Sequence, residues 1–446
     1  MADSALSRTL GSPTNADKWT WSAWLKRAKL STSGVYMDVF AAYTDGNNYA
    51  QLSFHPDNYF FYYDYQGGAV KASLSTVRKF RDGGGWYHFV VATDTTQATA
   101  ANRVKLYING EQYTWDNATT YPTQNQDTMI NKASTPHYIG QVGVGNFFEG
   151  FMSHVAFVDG QQLAPTVFGQ TDSTTGTWTF KSPSPTWGTN GAHIKFENSG
   201  NLGLDSSTNT NNWTVAGTLK QSIDTPSIVY PIMNPAFNLS DIQNTEAGMR
   251  MKNTNSNWKY INSTLAANKG KWYCEHKINT NGGYIMVGVT DMEYATSQDK
   301  SSYTHCGAGT GGVGLYSADG NKYIQASATT YAASVSTNDV VGCALDMDND
   351  KVYFSKNGAW ANGSGGWGST TFDAAVGAIS LPTTNGTYAF ATSVRSSAIT
   401  QTNFGTGQFG ATTISSAGSN GNGSLFEYDV PSGYYALNTK NLNTYG

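Results

Sequence analysis

The chain has 446 residues, with 27 Lys and Arg against 31 Asp and Glu and a formal net charge of −4. It has no Lys/Arg cluster, which argues against nucleic-acid binding, because phosphate contacts need concentrated positive charge. Neither a basic-then-apolar leader nor an apolar run of membrane-spanning length occurs. We therefore expect a soluble product made in the cytoplasm, without a signal peptide and without membrane insertion.

The composition indicates short strands joined by tight turns. Gly and Tyr are abundant, at 48 and 27 residues, and no window longer than a turn or two has apolar residues at helical spacing. The longest helical piece, residues 162–168, is limited to a single turn by Pro165. Alternation puts Trp19 and Trp21 on one face of a first strand. Further strands are predicted at residues 49–54, 59–65, 137–140, 147–158 and 193–196.

Two hairpins give the clearest local signals. Residues 86–93 and 104–108 alternate as paired strands, and Asn109-Gly110 tolerates the positive φ of a tight turn. Residues 340–360 repeat this style, with Asn357-Gly358 at the corresponding turn. Because the hairpins lie about 250 residues apart, the sequence predicts two β domains rather than one.

Motifs in the first half carry a specific resemblance. Together they resemble the concanavalin A-like, laminin-G-type lectin domain of tailed-phage virion proteins, especially those of marine and cyanobacterial phages. The segments are LSRT (6–9), WTWSAWLKR (19–27), the first hairpin (86–112), YIGQ (138–141), FFEGFMSHVAFVDGQQLAPTVFGQ (147–170), GTNGAHIKF (188–196) and DSSTNTNNWTV (205–215).

Motifs in the second half resemble a SPRY domain. That family is also a concanavalin-like sandwich, and the resemblance implies binding of proteins or peptides through its loops. The segments are GKWYCEH (270–276), IMVGVTD (285–291), GGVGLYS (311–317), the second hairpin (340–360), TYAFATS (387–393) and TNFG (402–405). The expected fold class is all-β, with two concanavalin A-like antiparallel β-sandwich (jelly-roll) domains in tandem.

The predicted domain boundaries follow composition. Residues 1–222 form the lectin-type domain, 223–238 a Pro-containing linker, 239–409 the SPRY-like domain and 410–446 a Gly/Ser-rich linker with a docking tail. The tail resembles the GYYALNTKNL ending of phage proteins, and we expect it to dock on a neighbour. Relatives of the first domain begin with an extra strand, so we also expect an unpaired N-terminal edge, filled by another virion subunit or by the tail.

No catalytic or metal-binding constellation is recognisable. A glycosidase needs two carboxylates facing each other across a cleft, and the Glu residues here are scattered. Asp346, Asp348 and Asp350 alternate as calcium ligands could, but turn chemistry explains them better. The seven histidines are dispersed, G-x-S-x-G is absent, and three cysteines without metal-ligand spacing argue against disulfides and zinc. We expect no enzyme activity, no metal and no cofactor.

Binding is the remaining function, because flat aromatic faces with amide and hydroxyl partners hold sugars. In YFFYYDY (59–65) the single acid, Asp64, indicates the outer face. This places Phe60 and Tyr62 outside as ligand-binding candidates, with Tyr59, Phe61 and Tyr63 inside. Trp360 and Trp367 flank a Gly/Ser-rich loop and are the other candidates. The alternative is that such aromatics cover sandwich edges or oligomer contacts.

The sequence thus predicts a non-enzymatic phage virion structural protein, a head or tail appendage, fibre or decoration protein that adheres to the host by carbohydrate binding. Its expected location is the virion. Expected partners are other capsid or tail proteins, host cell-surface glycans and further copies of the chain, since virion appendages are often symmetric oligomers. The alternatives are a glycan-degrading enzyme and a protein-binding module that acts through the SPRY loops.

Overall fold

A computed structural model describes residues 4–30, 34–143, 145–236, 242–293, 305–309 and 311–446. It divides into two compact units, Met1–Gln221 and Ser222–Gly446. The regular secondary structure of both is almost entirely β-strand, paired mainly into antiparallel sheets, so the predicted all-β class with tandem sandwich domains is confirmed. Among the described residues, no helix has the length and apolar character needed to cross a bilayer.

The strands of the first unit lie close to the predicted positions, and 3₁₀ turns occupy Ala100–Asn102 and Pro165–Val167. The described strands are β1 (Ala5–Thr9), β2 (Lys18–Arg27), β3 (Met37–Asp45), β4 (Asn48–Phe54), β5 (Tyr59–Gln66), β6 (Ala69–Lys79), β7 (Tyr87–Asp94), β8 (Val104–Ile108), β9 (Glu111–Tyr113), β10 (Asn117–Thr120), β11 (Pro136–Ile139), β12 (Gly150–Asp159), β13 (Gly169–Thr171), β14 (Trp178–Phe180), β15 (Ala192–Ile194) and β16 (Thr214–Ala216).

Two sheets enclose the core of the first unit. One has eight strands in the order β10-β6-β5-β4-β3-β11-β1-β16, and the other has six in the order β15-β12-β2-β7-β8-β9. Trp19 and Trp21 of β2 lie on one face, as predicted, and are buried in one cluster with Phe40 and Phe54 of the facing sheet. Large aromatics contribute most of the apolar area that stabilises such a core.

The first predicted hairpin is confirmed. Strand β7 pairs with β8, and β8 pairs with β9 across Asn109-Gly110. Both turn residues have positive φ, 50° and 86°, the conformation of a two-residue turn that matches strand twist. A side chain at Gly110 would also meet the ring of Trp178, 2.5 Å from the position of its Cβ.

The N-terminal edge differs from the prediction. Strand β1 pairs with β11 on one side and with β16 on the other, in the register Leu6 opposite Val215. Neither another subunit nor the C-terminal tail occupies this place. The first domain's own last strand covers the edge because its chain returns beside its beginning.

The second unit repeats the sandwich and ends in a short helix, α1 (Thr439–Tyr445). Its described strands are β17 (Ile242–Thr245), β18 (Arg250–Asn253), β19 (Lys259–Asn262), β20 (Lys271–Thr280), β21 (Ile285–Asp291), β22 (Gly312–Tyr316), β23 (Lys322–Ile324), β24 (Ser327–Thr329), β25 (Val340–Asp346), β26 (Lys351–Lys356), β27 (Ala359–Trp360), β28 (Ile379–Ser380), β29 (Tyr388–Val394), β30 (Ile399–Asn403), β31 (Gln408–Phe409), β32 (Thr412–Thr413) and β33 (Tyr435–Ala436).

Two sheets again face each other in the second unit. The larger runs β17-β18-β30-β20-β25-β26-β27, with β28 beside β26 and β33 beside β20, and the smaller runs β19-β29-β21-β22-β23-β24. The second predicted hairpin is confirmed, because β25 pairs with β26 and the chain turns at Asn357-Gly358 into β27.

The segments predicted as linker and tail pack within the second unit. Tyr230, inside the predicted linker 223–238, is buried, and its hydroxyl lies 2.9 Å from Ser424 Oγ. Residues 237 and 238 of that linker are outside the described residues. In the tail, the backbone N–H groups of Glu427 and Tyr428 donate to the buried carboxylate of Glu275, at 2.9 and 2.8 Å. The tail therefore docks on the second domain of its own chain.

Candidate functional site

The predicted orientation of YFFYYDY is wrong. Phe60 and Tyr62 are 0% exposed and belong to the core, so they cannot face a ligand. Asp64 is buried on the same face, where it accepts hydrogen bonds from the Tyr62 hydroxyl (3.1 Å), Gln66 Nε2 (2.9 Å) and Met129 N (2.9 Å). Because these donors satisfy its oxygens, the carboxyl marks the interior instead of the surface.

The side chains of β5 do alternate between the two faces of the sheet, but the inner and outer sets are the reverse of the prediction. Tyr59, Phe61 and Tyr63 lie on the outer face of the eight-stranded sheet and line a depression of about 600 Å³. The antiparallel register puts Ser53 opposite Phe61 and Gln51 opposite Tyr63, and opposed residues share a face. The polar side chains of β4 therefore stand directly beside the rings of β5.

Aromatic and uncharged polar side chains form the walls of this tyrosine depression. His55 stacks on Tyr59, with ring centroids 4.2 Å apart and planes at 10°, and Tyr49 lies 5.8 Å from Tyr63. The described lining residues are Tyr36, Tyr43, Gly46, Tyr49, Gln51, His55, Tyr59, Phe61, Tyr63, Ser73, Leu74, Ser75, Asn117, Thr119, Val142 and Asn146.

Burial favours the neutral form of four titratable side chains in the tyrosine depression. Partial burial raises the pKa of the Tyr49, Tyr59 and Tyr63 hydroxyls above their ordinary value. Burial lowers the pKa of His55, although the nearby Asp57 carboxylate opposes that shift. The walls thus offer phenol, amide and hydroxyl groups that both donate and accept hydrogen bonds, without a fixed charge.

A buried acid lies below this surface. Asp38 stands opposite Ser53 in β4, is 0% exposed, and neither carboxyl oxygen has a partner with hydrogen-bond geometry. Burial raises the pKa of Asp38 to about 8, and the neighbouring Ser53 and Asn146 side chains offset the shift only in part. The carboxyl is therefore largely protonated at neutral pH.

The two predicted tryptophans do not form an exposed platform. Trp360 is 8% exposed and packs in a core cluster, with its ring centroid 4.8 Å from that of Phe372. Trp367 is half-buried; its Nε1 donates to the Ala333 carbonyl at 3.1 Å, and the Lys356 ammonium lies 5.5 Å from its ring centroid. The loop closes on itself through a bridge between Ala361 and Trp367, which turns Trp360 inward.

One serine and histidine pair has the distance of a nucleophile and its base. Ser22 Oγ lies 2.8 Å from His88 Nε2, while Trp178 Nε1 donates to His88 Nδ1 at 3.0 Å. An indole N–H can only donate, so Nδ1 must accept and the imidazole proton sits on Nε2. That nitrogen then donates to Ser22 and cannot take its proton. Burial lowers the pKa of His88 to about 3, so the pair is structural.

The alternating acids of the second hairpin point to different partners. Asp346 forms an ion pair with the Lys271 ammonium at 3.0 Å. Asp348 accepts a hydrogen bond from Gly270 N at 2.8 Å, and Asp350 accepts one from Asn385 N at 3.3 Å. Each carboxylate is used by separate local contacts. Within the described part of the chain, no group of three or more His, Cys, Asp or Glu is placed to hold a metal.

Sequence reasoning missed the face that carries Tyr49, Gln51, Tyr59 and Tyr63. A usable signal was present in β4, where Ala50, Leu52 and Phe54 alternate with Tyr49, Gln51 and Ser53. This strand has one plainly apolar face. Pairing it with β5 before assigning the faces of YFFYYDY would have given the observed orientation.

The fold defines a tandem of two β-sandwich domains. The chain contains a domain of the concanavalin A-like lectin/glucanases superfamily (Laminin_G_3), matched over residues 3–168, followed by a SPRY domain, matched over residues 271–387.

The curated relatives share only a short part of their length with this chain. The Ran-binding proteins 9/10 homolog of Drosophila melanogaster is 29% identical over 96 residues, which covers 20% of this chain and 9% of that protein. The ATP-dependent RNA helicase DDX1 of Xenopus laevis is 34% identical over 101 residues, covering 23% and 12%. The chain thus spans about a tenth of each relative.

Similar solved structures include the SPRY domain of human HERC1, at 15% identity and a TM-score of 0.27, covering 36% of this chain and 91% of that one. Domain 4 of AbnA, an extracellular arabinanase of Geobacillus stearothermophilus solved in complex with arabinotriose, is 19% identical with a TM-score of 0.26. That match covers 34% of this chain and 64% of the other.

Proposed function

We propose that this chain is a non-enzymatic binding protein of a tailed-phage virion and that the tyrosine depression holds a host-surface glycan. The observation that carries the proposal is the combination of aromatic faces with amide and hydroxyl groups on one open sheet face. Sugars present apolar C–H faces that pack on rings, and hydroxyls that need both donors and acceptors.

The geometry of β4 and β5 suits a saccharide unit. Tyr63 and Tyr49 present rings whose planes are tilted by 35°, while Gln51 stands opposite Tyr63 in register. A ring that packs on Tyr63 would therefore have an amide within reach of its hydroxyls. Neutral phenols at the rim can rotate their O–H groups to fit either a donor or an acceptor.

A binding role without catalysis agrees with the same lining. A glycosidase requires two carboxyl groups about 5–10 Å apart on either side of the scissile bond, and no Asp or Glu is among the described side chains that line the tyrosine depression. The Ser22–His88 pair has the wrong tautomer for a nucleophile and base. These features support the non-enzymatic form of the proposal over a glycan-degrading enzyme.

The virion location rests on the resemblance of the two domains to tandem modules of phage structural proteins. The chain would be a head or tail appendage, fibre or decoration protein, in contact with other virion proteins and present in several copies. Gold-labelled antibody against the chain, viewed on purified particles, should mark a fixed site on the head or tail. Particles without label, from lysates that contain the protein, would contradict the location and leave glycan binding open.

A second candidate function, protein binding by the second domain, is favoured by one cluster. The Arg395 guanidinium lies 4.3 Å from the ring centroid of Tyr284 and 5.2 Å from that of Trp258. All three side chains are half-buried. Trp, Tyr and Arg are the residues that most often dominate protein interfaces. Loss of a captured partner from Trp258→Ala, with glycan binding intact, would favour this role for the second domain.

Glycan binding is tested by calorimetric titration with oligosaccharides first selected on an array. Tyr63→Ala should weaken binding by about fivefold or more, because one stacking ring contributes on the order of 1 kcal/mol or more. Tyr445→Ala is the matched control, since this tyrosine is exposed in the second unit. Equal affinity for Tyr63→Ala and the control would refute the assigned site. Release of reducing ends from a bound glycan would refute the non-enzymatic role.

A further inference from the structure

The tyrosine depression is uncharged along its whole described lining. Its polar side chains are Tyr, Gln, Ser, Thr and Asn, together with His55, whose pKa is lowered by burial. Recognition of a carboxylate, sulfate or phosphate usually uses Arg or Lys, because a cation is the side chain that best compensates for the lost hydration of the anion. Neither residue type is among the described lining residues.

A buried acid, Asp38, lies on the same side of the sheet. Asp38 lies in the row Asp38, Ser53, Phe61, which crosses the sheet on the side of the tyrosine depression. The side chains beside its carboxyl group are those of Ser53 and Asn146, which are uncharged, and the group is completely buried. The side chains that act on its carboxyl group are uncharged, so no cation neutralises it, and its ionisation would add a negative charge.

From these two observations we infer that the tyrosine depression selects uncharged glycans and rejects those that carry carboxylate, sulfate or phosphate groups. The inference rests on the proposed glycan binding and adds the chemical class of the ligand. A neutral hexose or N-acetylhexosamine unit leaves no charge without a partner when it displaces water from the walls. An acidic unit would leave an anion facing phenols and amides, and burial of an unpaired charge is strongly unfavourable.

One position allows the charge of the lining to be changed alone. Thr119 of β10 lines the tyrosine depression and is exposed, so a longer side chain there extends into solvent or over the opening without disturbing the core. Thr119→Lys adds a cation at the rim. Thr119→Met adds a side chain of similar length without charge, and is the matched control.

The test compares binding of oligosaccharide pairs of equal length: neutral glucose, galactose, mannose or N-acetylglucosamine oligomers, each against its uronate or sulfated counterpart. Wild type should bind a neutral member at least about tenfold more tightly than its acidic counterpart, a difference of about 1.4 kcal/mol. Thr119→Lys should reduce that ratio severalfold at low salt, and the reduction should weaken as salt rises. Thr119→Met should leave the ratio unchanged.

The outcomes separate the inference from the proposed function. Wild type that binds an acidic member as tightly as its neutral partner, with loss of binding in Tyr63→Ala, would overturn the inference and keep the glycan site. An equal effect of Thr119→Lys and Thr119→Met would also overturn it, because charge would not be the cause. No binding of either class would overturn both the inference and the proposed function.

Discussion

Phe426, in the segment predicted as a tail, is 1% exposed and packs edge-on against Tyr273, with ring centroids 4.9 Å apart and planes at 77°. Phe426→Ala removes this ring from a core cluster that also contains Tyr230 and Tyr434. Truncation of a buried Phe costs about 3–5 kcal/mol, and about 0.5–1.5 kcal/mol of that is the aromatic pair itself. If the segment is an integral part of the second domain, the substitution must lower the stability of that domain by this amount.

Urea unfolding of the full chain measures the effect. With a denaturant slope of about 2–3 kcal/mol/M, the midpoint of the second domain should fall by roughly 1–2.5 M. Hydrogen exchange of peptides from β20 and β25 assigns the transition to the correct domain. Leu425→Ala is the control, because this neighbouring side chain is 38% exposed and should cost about 1 kcal/mol or less. Equal midpoints for the two variants would refute the integral role of the segment.

Three further predictions concern other parts of the chain. Burial raises the folded-state pKa of Asp38 from 3.8 to about 8, so the stabilising contribution of this group is full below pH 4 and is lost as the pH rises through 8. The thermal midpoint of wild type should therefore fall relative to that of Asp38→Asn over this range. Midpoints of the two proteins that change in parallel with pH would contradict the raised pKa of Asp38. Gly110 and Gly68 both have positive φ, at 86° and 75°, but of the two only Gly110 lies against the Trp178 ring. In chemical denaturation, Gly110→Ala should therefore lower the free energy of unfolding by about 1–3 kcal/mol more than Gly68→Ala does. Equal losses of stability for the two variants would contradict a steric role of the Trp178 ring. The thiols should resist an aromatic disulfide reagent in the folded chain and react after denaturation, because all three are buried: Cys274, Cys306 and Cys343.

Local patterns sufficed for the hairpins and for much of the core. Alternation in β2 placed Trp19 and Trp21 on one face. The two Asn-Gly dipeptides correctly indicated the turns at which β8 and β26 end. These features depend on neighbours in sequence, so short windows contain the necessary information. The face of β5 is different, because Asp64 owes its burial to Met129 N and Gln66, and the first of these donors is 65 residues away. A window of seven residues could not supply that partner.

The same limit explains the linker and the tail. Their composition is that of extended, solvated chain, and nothing within either segment predicts a partner. Tyr230 and Phe426 become buried only because Tyr273 and Trp360 form an aromatic face that both segments cover. A boundary drawn from composition therefore separates residues that fold as one unit. The candidate site was missed for a related reason, since the register between β4 and β5 decides which rings are outside.

The outer sheet faces of the two domains differ in what covers their aromatic side chains. In the second domain the face that carries Tyr273 and Tyr353 is closed by the chain's own Phe426 and Tyr434, so its aromatics act as core. In the first domain the face that carries Tyr63 and Gln51 remains open among the described residues. An open aromatic face without hydroxyl or amide groups would invite nonspecific association. Tyr, Gln, Ser and Asn instead give this surface both contact area and hydrogen-bonding groups, which are what recognition of an uncharged sugar requires.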